Sequence, residues 1–359
     1  MSGERPLSGR RGNKNSSSGE PEGWRTGPAW QEMNGKAARR RRILGGVGVV
    51  AAVLATLIAL KPGLLLSRIP GLGDEGTDDR RTASRGTAAP LAPETARPGG
   101  APGSTEGTPT PDRPFAGSPA EQYADGAAGL VLPEARPVGA FSREQVASAL
   151  KLTKDFLVAA NLDAATLRGE RPAAALALLD PHQDDLVTHA ETSLRKPGRD
   201  HDPLTLFSRF DGKEVRMVGE TVKTRGRMTF AERKDGSVAV HADYTFVYPL
   251  VRQEKGSREV VRTIVRRVLD TELLDPGRFQ VTPGKLAFRG YTVDIGNSAC
   301  GVYDGFMHPA FHAGRPDATQ PPSGPAVDPY DRSRELDTGE AGRAGKAGDR
   351  EPCGTVTRS

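Results

Sequence analysis

An α+β fold is what this sequence predicts: N-terminal helices packed on a curved antiparallel sheet of about four strands. Two observations carry the prediction. Apolar residues recur every three to four positions between Phe141 and Lys196, and from Val215 onward they recur every second position. Helices followed by a run of strands segregate into a helical layer on one face of a sheet. A third observation sets the limits of this domain. Residues 43–60 carry no charge, and residues 61–128 and 313–359 are dominated by Gly, Pro, Ala and polar side chains.

The first helix is predicted from its start signals. Ser142 and Gln145 form an S-x-x-Q capping box, and Phe141 with Val146 forms a hydrophobic staple. Val146, Ala149, Leu150, Thr153, Leu157 and Ala160 then share a helical face. A short second helix is expected over Asp163–Arg168, stopped by Gly169, and a third after Pro172. The fourth reads as capped by Asp180, with Pro181 at its first turn, Gln183 closing the box and Pro197-Gly198 ending it.

The strands follow. Val215–Arg227 holds a strand whose phase slips near Gly219, which points to a bulge. Asp235-Gly236 marks a hairpin between a strand ending near Phe230 and "SVAVHADYTFVYPL". In that stretch Val238, Val240, Ala242, Tyr244, Phe246, Tyr248 and Leu250 share one face, so His241 and Asp243 take the other. "EVVRTIVRRVLDTEL" fits either period, and its β-branched content decides for a strand. "KLAFRGYTVDI" is the last strand.

Charge and hydropathy organise the rest of the 359 residues. Residues 1–42 carry ten Lys/Arg against four Glu, so this tail accounts for the whole net charge of +5. The remainder is close to neutral, which gives no support to nucleic-acid binding by the folded part. Residues 1–42 are expected to be a disordered basic cytoplasmic tail. Ile43–Leu60 is expected to be a transmembrane helix: eighteen uncharged residues rise about 27 Å, close to a hydrocarbon core. Arg39–Arg42 precede it, so the positive-inside rule sends everything after residue 61 outside. No A-x-A site follows the apolar run, which favours a permanent anchor in the lipid bilayer over a cleaved export signal. The organisation expected is therefore tail 1–42, span 43–60, disordered linker 61–128, extracytoplasmic α+β domain 129–312 and a mostly disordered tail 313–359. The protein is expected in the cell membrane as a single-pass chain.

The order of elements over residues 141–296 resembles the cone-shaped ketosteroid-isomerase-like, or nuclear-transport-factor-two-like, superfamily. "LPEARPVGAFSREQV", "VAANLDAATLRG", "YTFVYPL", "ACGVYDGFMHPAF" and "DPYDRSR" are similar to uncharacterised single-span membrane proteins of actinobacteria. That resemblance implies an envelope protein and transfers no activity and no functional residue.

Candidate functional residues are few. In a cone-shaped domain Tyr244, Phe246 and Tyr248 would line a ligand cavity, or else fill the core. Arg262, Arg266 and Arg267 would form either a basic ladder for an anionic wall polymer or a solvated face paired across strands. Asp304, His308 and His312 stand at steps of four, but Gly305 and Pro309 oppose one continuous helix, and no metal is assigned. His182, Asp185 and His189 could meet on a helix, most simply as a solvated surface. Cys300 and Cys353 are the only cysteines, and outside a membrane they are expected to form a disulfide. Closing that loop of some 50 residues would stabilise by about 4 kcal/mol. No catalytic residue, cofactor or metal is assigned. The reading is an extracytoplasmic binding or scaffolding module of the cell envelope, its partner a cell-wall polymer or envelope protein. The alternative is an isomerase- or cyclase-type enzyme with an apolar cavity, so enzymatic activity stays open.

Overall fold

Ser142 caps the first helix as the sequence requires. Its Oγ accepts from Gln145 N at 3.3 Å, and Gln145 Oε1 accepts from Ser142 N at 2.8 Å. In the computed structural model, which describes residues 89–312, 324–336, 338 and 354–358, this helix is α1, Arg143–Asn161. Its buried side follows the expected spacing: Val146, Ala149, Leu150, Thr153, Leu157 and Ala160, joined by Phe156. Three shorter helices follow: α2 (Ala164–Leu167), α3 (Ala173–Leu176) and α4 (Asp184–Arg195). Asp163 caps α2 by accepting from Thr166 N at 2.8 Å, and Gly169 behind it takes φ +85°.

The start of α4 differs from expectation. Gln183, not Asp180, is its N-cap residue, and no side chain caps it. Asp180 instead accepts from Thr282 N at 3.0 Å and Thr282 Oγ1 at 3.1 Å, as well as from His182 N. The Gln183 amide pairs with both backbone groups of Phe288, at 2.6 and 2.7 Å. Both polar side chains found distant partners, Asp180 in the loop between β5 and β6 and Gln183 on β6, and those partners won over the local cap.

Eight strands are described: β1 (Ala124–Asp125), β2 (Val215–Met217), β3 (Lys223–Glu232), β4 (Val238–Arg252), β5 (Val261–Leu273), β6 (Ala287–Gly296), β7 (Gly324–Val327) and β8 (Gly354–Val356). The main sheet is antiparallel in the order β1-β3-β4-β5-β6, with β2 also on β4. β3 to β6 are the four long strands. The expected slip near Gly219 is a break between two strands: β2 pairs with Leu250–Arg252, and β3 with Val238–Val247. Gly219 takes φ +69° at the crossing. The hairpin at Asp235-Gly236 joins β3 to β4. β5 is a strand, as its β-branched content indicates. β6 carries a bulge opposite Asp270/Thr271. β7 and β8 form a separate parallel pair.

One face of the sheet carries the helices. Val240, Ala242, Tyr244, Phe246, Tyr248 and Leu250 join α1, α2 and α4 in the main core. Thr153 fixes this layer by a hydroxyl contact of 2.9 Å to Thr271 on β5. The opposite face is covered by two segments that flank the predicted domain. Residues 89–128, expected as linker, cross it with Phe115, Ala120 and Tyr123 buried, and Tyr330 from the expected C-terminal tail joins them over Val247 and Ile264. Composition obscured this because an extended Gly/Pro-rich strip satisfies few of its own backbone groups and takes its order from the surface beneath it.

The expected span Ile43–Leu60 and tail 1–42 lie outside the described residues. Among the described residues no helix is long and apolar enough to cross a membrane.

Candidate functional site

Alternation along β4 and β5 aims a set of charges at the face away from the helices. Asp243 stands opposite Val268, and Thr245 opposite Arg266, so Asp243 and Arg266 are diagonal neighbours. Arg266 Nε and Nη2 donate to the two oxygens of Asp243 at 3.0 and 2.8 Å, a bidentate pair that is almost wholly buried. Burial pushes the Asp243 carboxyl up. The hydrogen bonds and charge of Arg266, with Arg332 beyond it, more than offset that and hold it below the usual carboxylate value.

The two flanking segments complete this cluster. Glu94 accepts from Arg225 Nε on β3 at 2.8 Å. Arg332 pairs with the same Glu94, and its Nη1 donates to the backbone oxygen of Asp243 at 3.0 Å. Two residues earlier, Tyr330 is buried edge-on to Tyr123, ring centroids 6.3 Å apart. Lys223 lies over the Phe115 ring at 5.6 Å and Arg225 over Tyr123 at 5.8 Å. The result is a groove with an aromatic pocket and, beside it, a pocket of two carboxylates, filled by Tyr330 and Arg332.

Tyr244, Phe246 and Tyr248 sit on the helix-covered face and have no solvent exposure. Tyr244 Oη donates to Val131 O at 3.1 Å and Tyr248 Oη to Asn161 O at 3.0 Å. Burial pushes both phenols well above their usual value.

The basic ladder does not form, because alternation splits it. Arg262 and Arg266 point away from the helices, and Arg267 points into the main core. Arg267 is fully buried and donates to Asn161 Oδ1 at 2.8 Å, Thr205 O at 2.5 Å and Leu204 O at 3.2 Å. Burial lowers this guanidinium to about 10. It pins the turn at residues 202–206 inside the domain.

The histidines divide in the same way. His308 is held between Glu214 at 2.8 Å and Asp304 at 3.0 Å. Burial lowers its pKa, but these two carboxylates outweigh burial and raise it. His312 turns to Glu259 instead, at 3.2 Å. His182 and Asp185 stay exposed while His189 faces the His201 ring at 5.3 Å, so that trio does not meet. Among the described residues no group of three or more His, Cys, Asp or Glu side chains is placed to hold a metal ion.

Sequence reasoning missed Glu94, Arg225 and Arg332, since two of them lay in segments taken as linker and tail. It also missed His241 Nδ1 against Asp270 Oδ1 at 2.7 Å, with Thr338 Oγ1 on the other oxygen at 2.6 Å. The strand register, His241 opposite Asp270, was the signal that could have found that pair.

Cys300 is exposed in the turn after β6, and among the described residues no cysteine is free. Cys353 lies outside the described residues. The chain matches no protein-family model, no curated protein and no solved structure.

Proposed function

We propose that the protein is a membrane-anchored, extracytoplasmic binding or scaffolding module of the cell envelope. One observation carries the choice of module over isomerase- or cyclase-type enzyme. Tyr244, Phe246 and Tyr248, the side chains that would line a reaction chamber, are wholly buried, and both hydroxyls are spent on backbone carbonyls. Residues doing that work are core, while the opposite face carries charges and a side-chain-lined groove.

Ile43–Leu60 would be the anchor in the lipid bilayer, with Arg39–Arg42 on the cytoplasmic side. The stretch between the span and the domain is then 61–88 rather than 61–128. A Cys300–Cys353 disulfide suits this compartment. β8 begins one residue after Cys353, and Val356 Cγ1 packs 3.3 Å from where a side chain on Gly296 would start, close to Cys300 in the chain. The ketosteroid-isomerase-like resemblance supplies the architecture of such a module and no activity.

The test is protease added to intact cells carrying the full chain with a C-terminal epitope. Loss of the epitope without lysis is the expected result. An epitope spared until the cells are lysed would refute the topology.

A further inference from the structure

The groove opposite the helices is filled by the protein's own segment, through Tyr330 and Arg332. Between Asp328 and Glu335 that segment belongs to no strand of the sheet. Its deepest contacts are two side chains, Tyr330 in the aromatic pocket and Arg332 against Glu94 and Asp243, with a bond from Arg266 Nη2 to Arg334 O at 2.8 Å, an Asp328–Arg358 pair and an outer Arg97–Glu335 pair at 3.4 Å around them. Tyr and Arg are the residues that anchor peptides at interfaces.

The floor of the groove does not depend on them. Asp243 keeps both bonds to Arg266, and Glu94 keeps Arg225, when Arg332 is gone. No buried carboxylate is stranded, so vacating the groove avoids the large penalty of an unpaired buried charge. The Tyr123 and Phe115 rings keep their cationic neighbours. Thr245 faces Arg225 and Arg266 in the register, and its Oγ1 is buried with no hydrogen-bond partner. Arg267 on the other face is the contrast: removing it takes the side-chain donor from the Thr205 and Leu204 carbonyls at once, and leaves Asn161 Oδ1 with Ser208 Oγ alone.

We infer that this groove is a recognition site for an extended peptide of a partner protein carrying an aromatic residue and, two positions later, an arginine, and that Tyr330 and Arg332 occupy it in cis as a resident ligand. This deepens the reading of the chain as a binding module and rests on it. The test below uses purified protein, so it fails independently of the topology experiment on cells.

A fluorescent peptide with the sequence of residues 326–336 is titrated into the full chain and into the full chain carrying Tyr330→Ala and Arg332→Ala. Binding at least tenfold tighter to the double variant is expected, and it should be lost when the peptide carries the same two alanines. Equal affinity for both chains, or indifference to the alanines in the peptide, would overturn the inference.

Should the double variant fail to fold, a protease site placed between Asp317 and Ala318 of the otherwise native chain serves instead. After cleavage under reducing conditions, excess native peptide should release the C-terminal fragment and the alanine peptide should not. Release by both or by neither counts against the site. Mixing two differently tagged full-length populations decides the occupant: exchange of the segment between copies would assign the groove to a second copy of this chain and overturn the heterologous partner.

Discussion

Tyr244 and Thr245 are neighbours on β4 and both are buried, yet they meet different chemistry. Tyr244 enters a core of helix side chains and its hydroxyl is satisfied by a fixed carbonyl. Thr245 points to the opposite face, between Arg225 and Arg266 of the neighbouring strands, and its hydroxyl has no hydrogen-bond partner. The face against the helices is permanent core, closed by apolar contact and by a guanidinium whose loss would take a donor from two backbone carbonyls. On the opposite face residues 328–336 can be taken away with the Asp243–Arg266 and Glu94–Arg225 pairs left intact. Burial alone does not distinguish core from an occupied site; what is stranded when a segment leaves does.

The largest effect should come from the helix-covered face. Phe246→Ala should destabilise the whole domain by about 4 kcal/mol, seen as a cooperative loss of stability in denaturant. A small, local effect there would break the comparison.

Asp243→Asn should come next, at about 3 kcal/mol, because it leaves Arg266 buried without its carboxylate. This contribution is pH-dependent. The folded carboxyl titrates below its ordinary value near 3.8, so its stabilisation is present above that value and is lost as pH falls through the lower one in the fold. Denaturant midpoints of wild type and variant should therefore converge in acid.

Tyr330→Ala sharpens the contrast further. If the strip detaches by itself, as inferred above, global stability should fall by less than about 2 kcal/mol. Hydrogen exchange should nevertheless speed up in residues 328–336, and protease should cut there first. If all elements lost protection together, the strip would be part of the core.

His308→Gln is expected to be smallest, within about 1 kcal/mol, since Glu214 and Asp304 are half exposed. The folded imidazole titrates above 6.5. Its stabilisation is thus full below the unfolded value and disappears as pH rises through the folded one. An NMR titration of the His308 ring checks the direction.

Local signals were enough for much of the domain. The Ser142/Gln145 box, the period of α1, the Asp235-Gly236 hairpin and the alternation of β4 each depend on residues close in sequence, so the helices, the four long strands and the face of Tyr244, Phe246 and Tyr248 could be read directly. The start of α4 could not, because Asp180 and Gln183 chose partners about a hundred residues away, one in a loop and one on β6. Nor could the role of the three arginines, since one residue of phase separates Arg266 from Arg267 and sends them to opposite faces.

By itself the sequence determined the class of fold, the order of its elements and which β4 side chains share a face, because periodicity and capping are local properties. Only the tertiary structure decided that residues 89–128 and 328–336 belong to the domain. Glu94, Asp243 and Arg332 span 238 positions of the chain, and no local pattern records a charge pair formed across that distance.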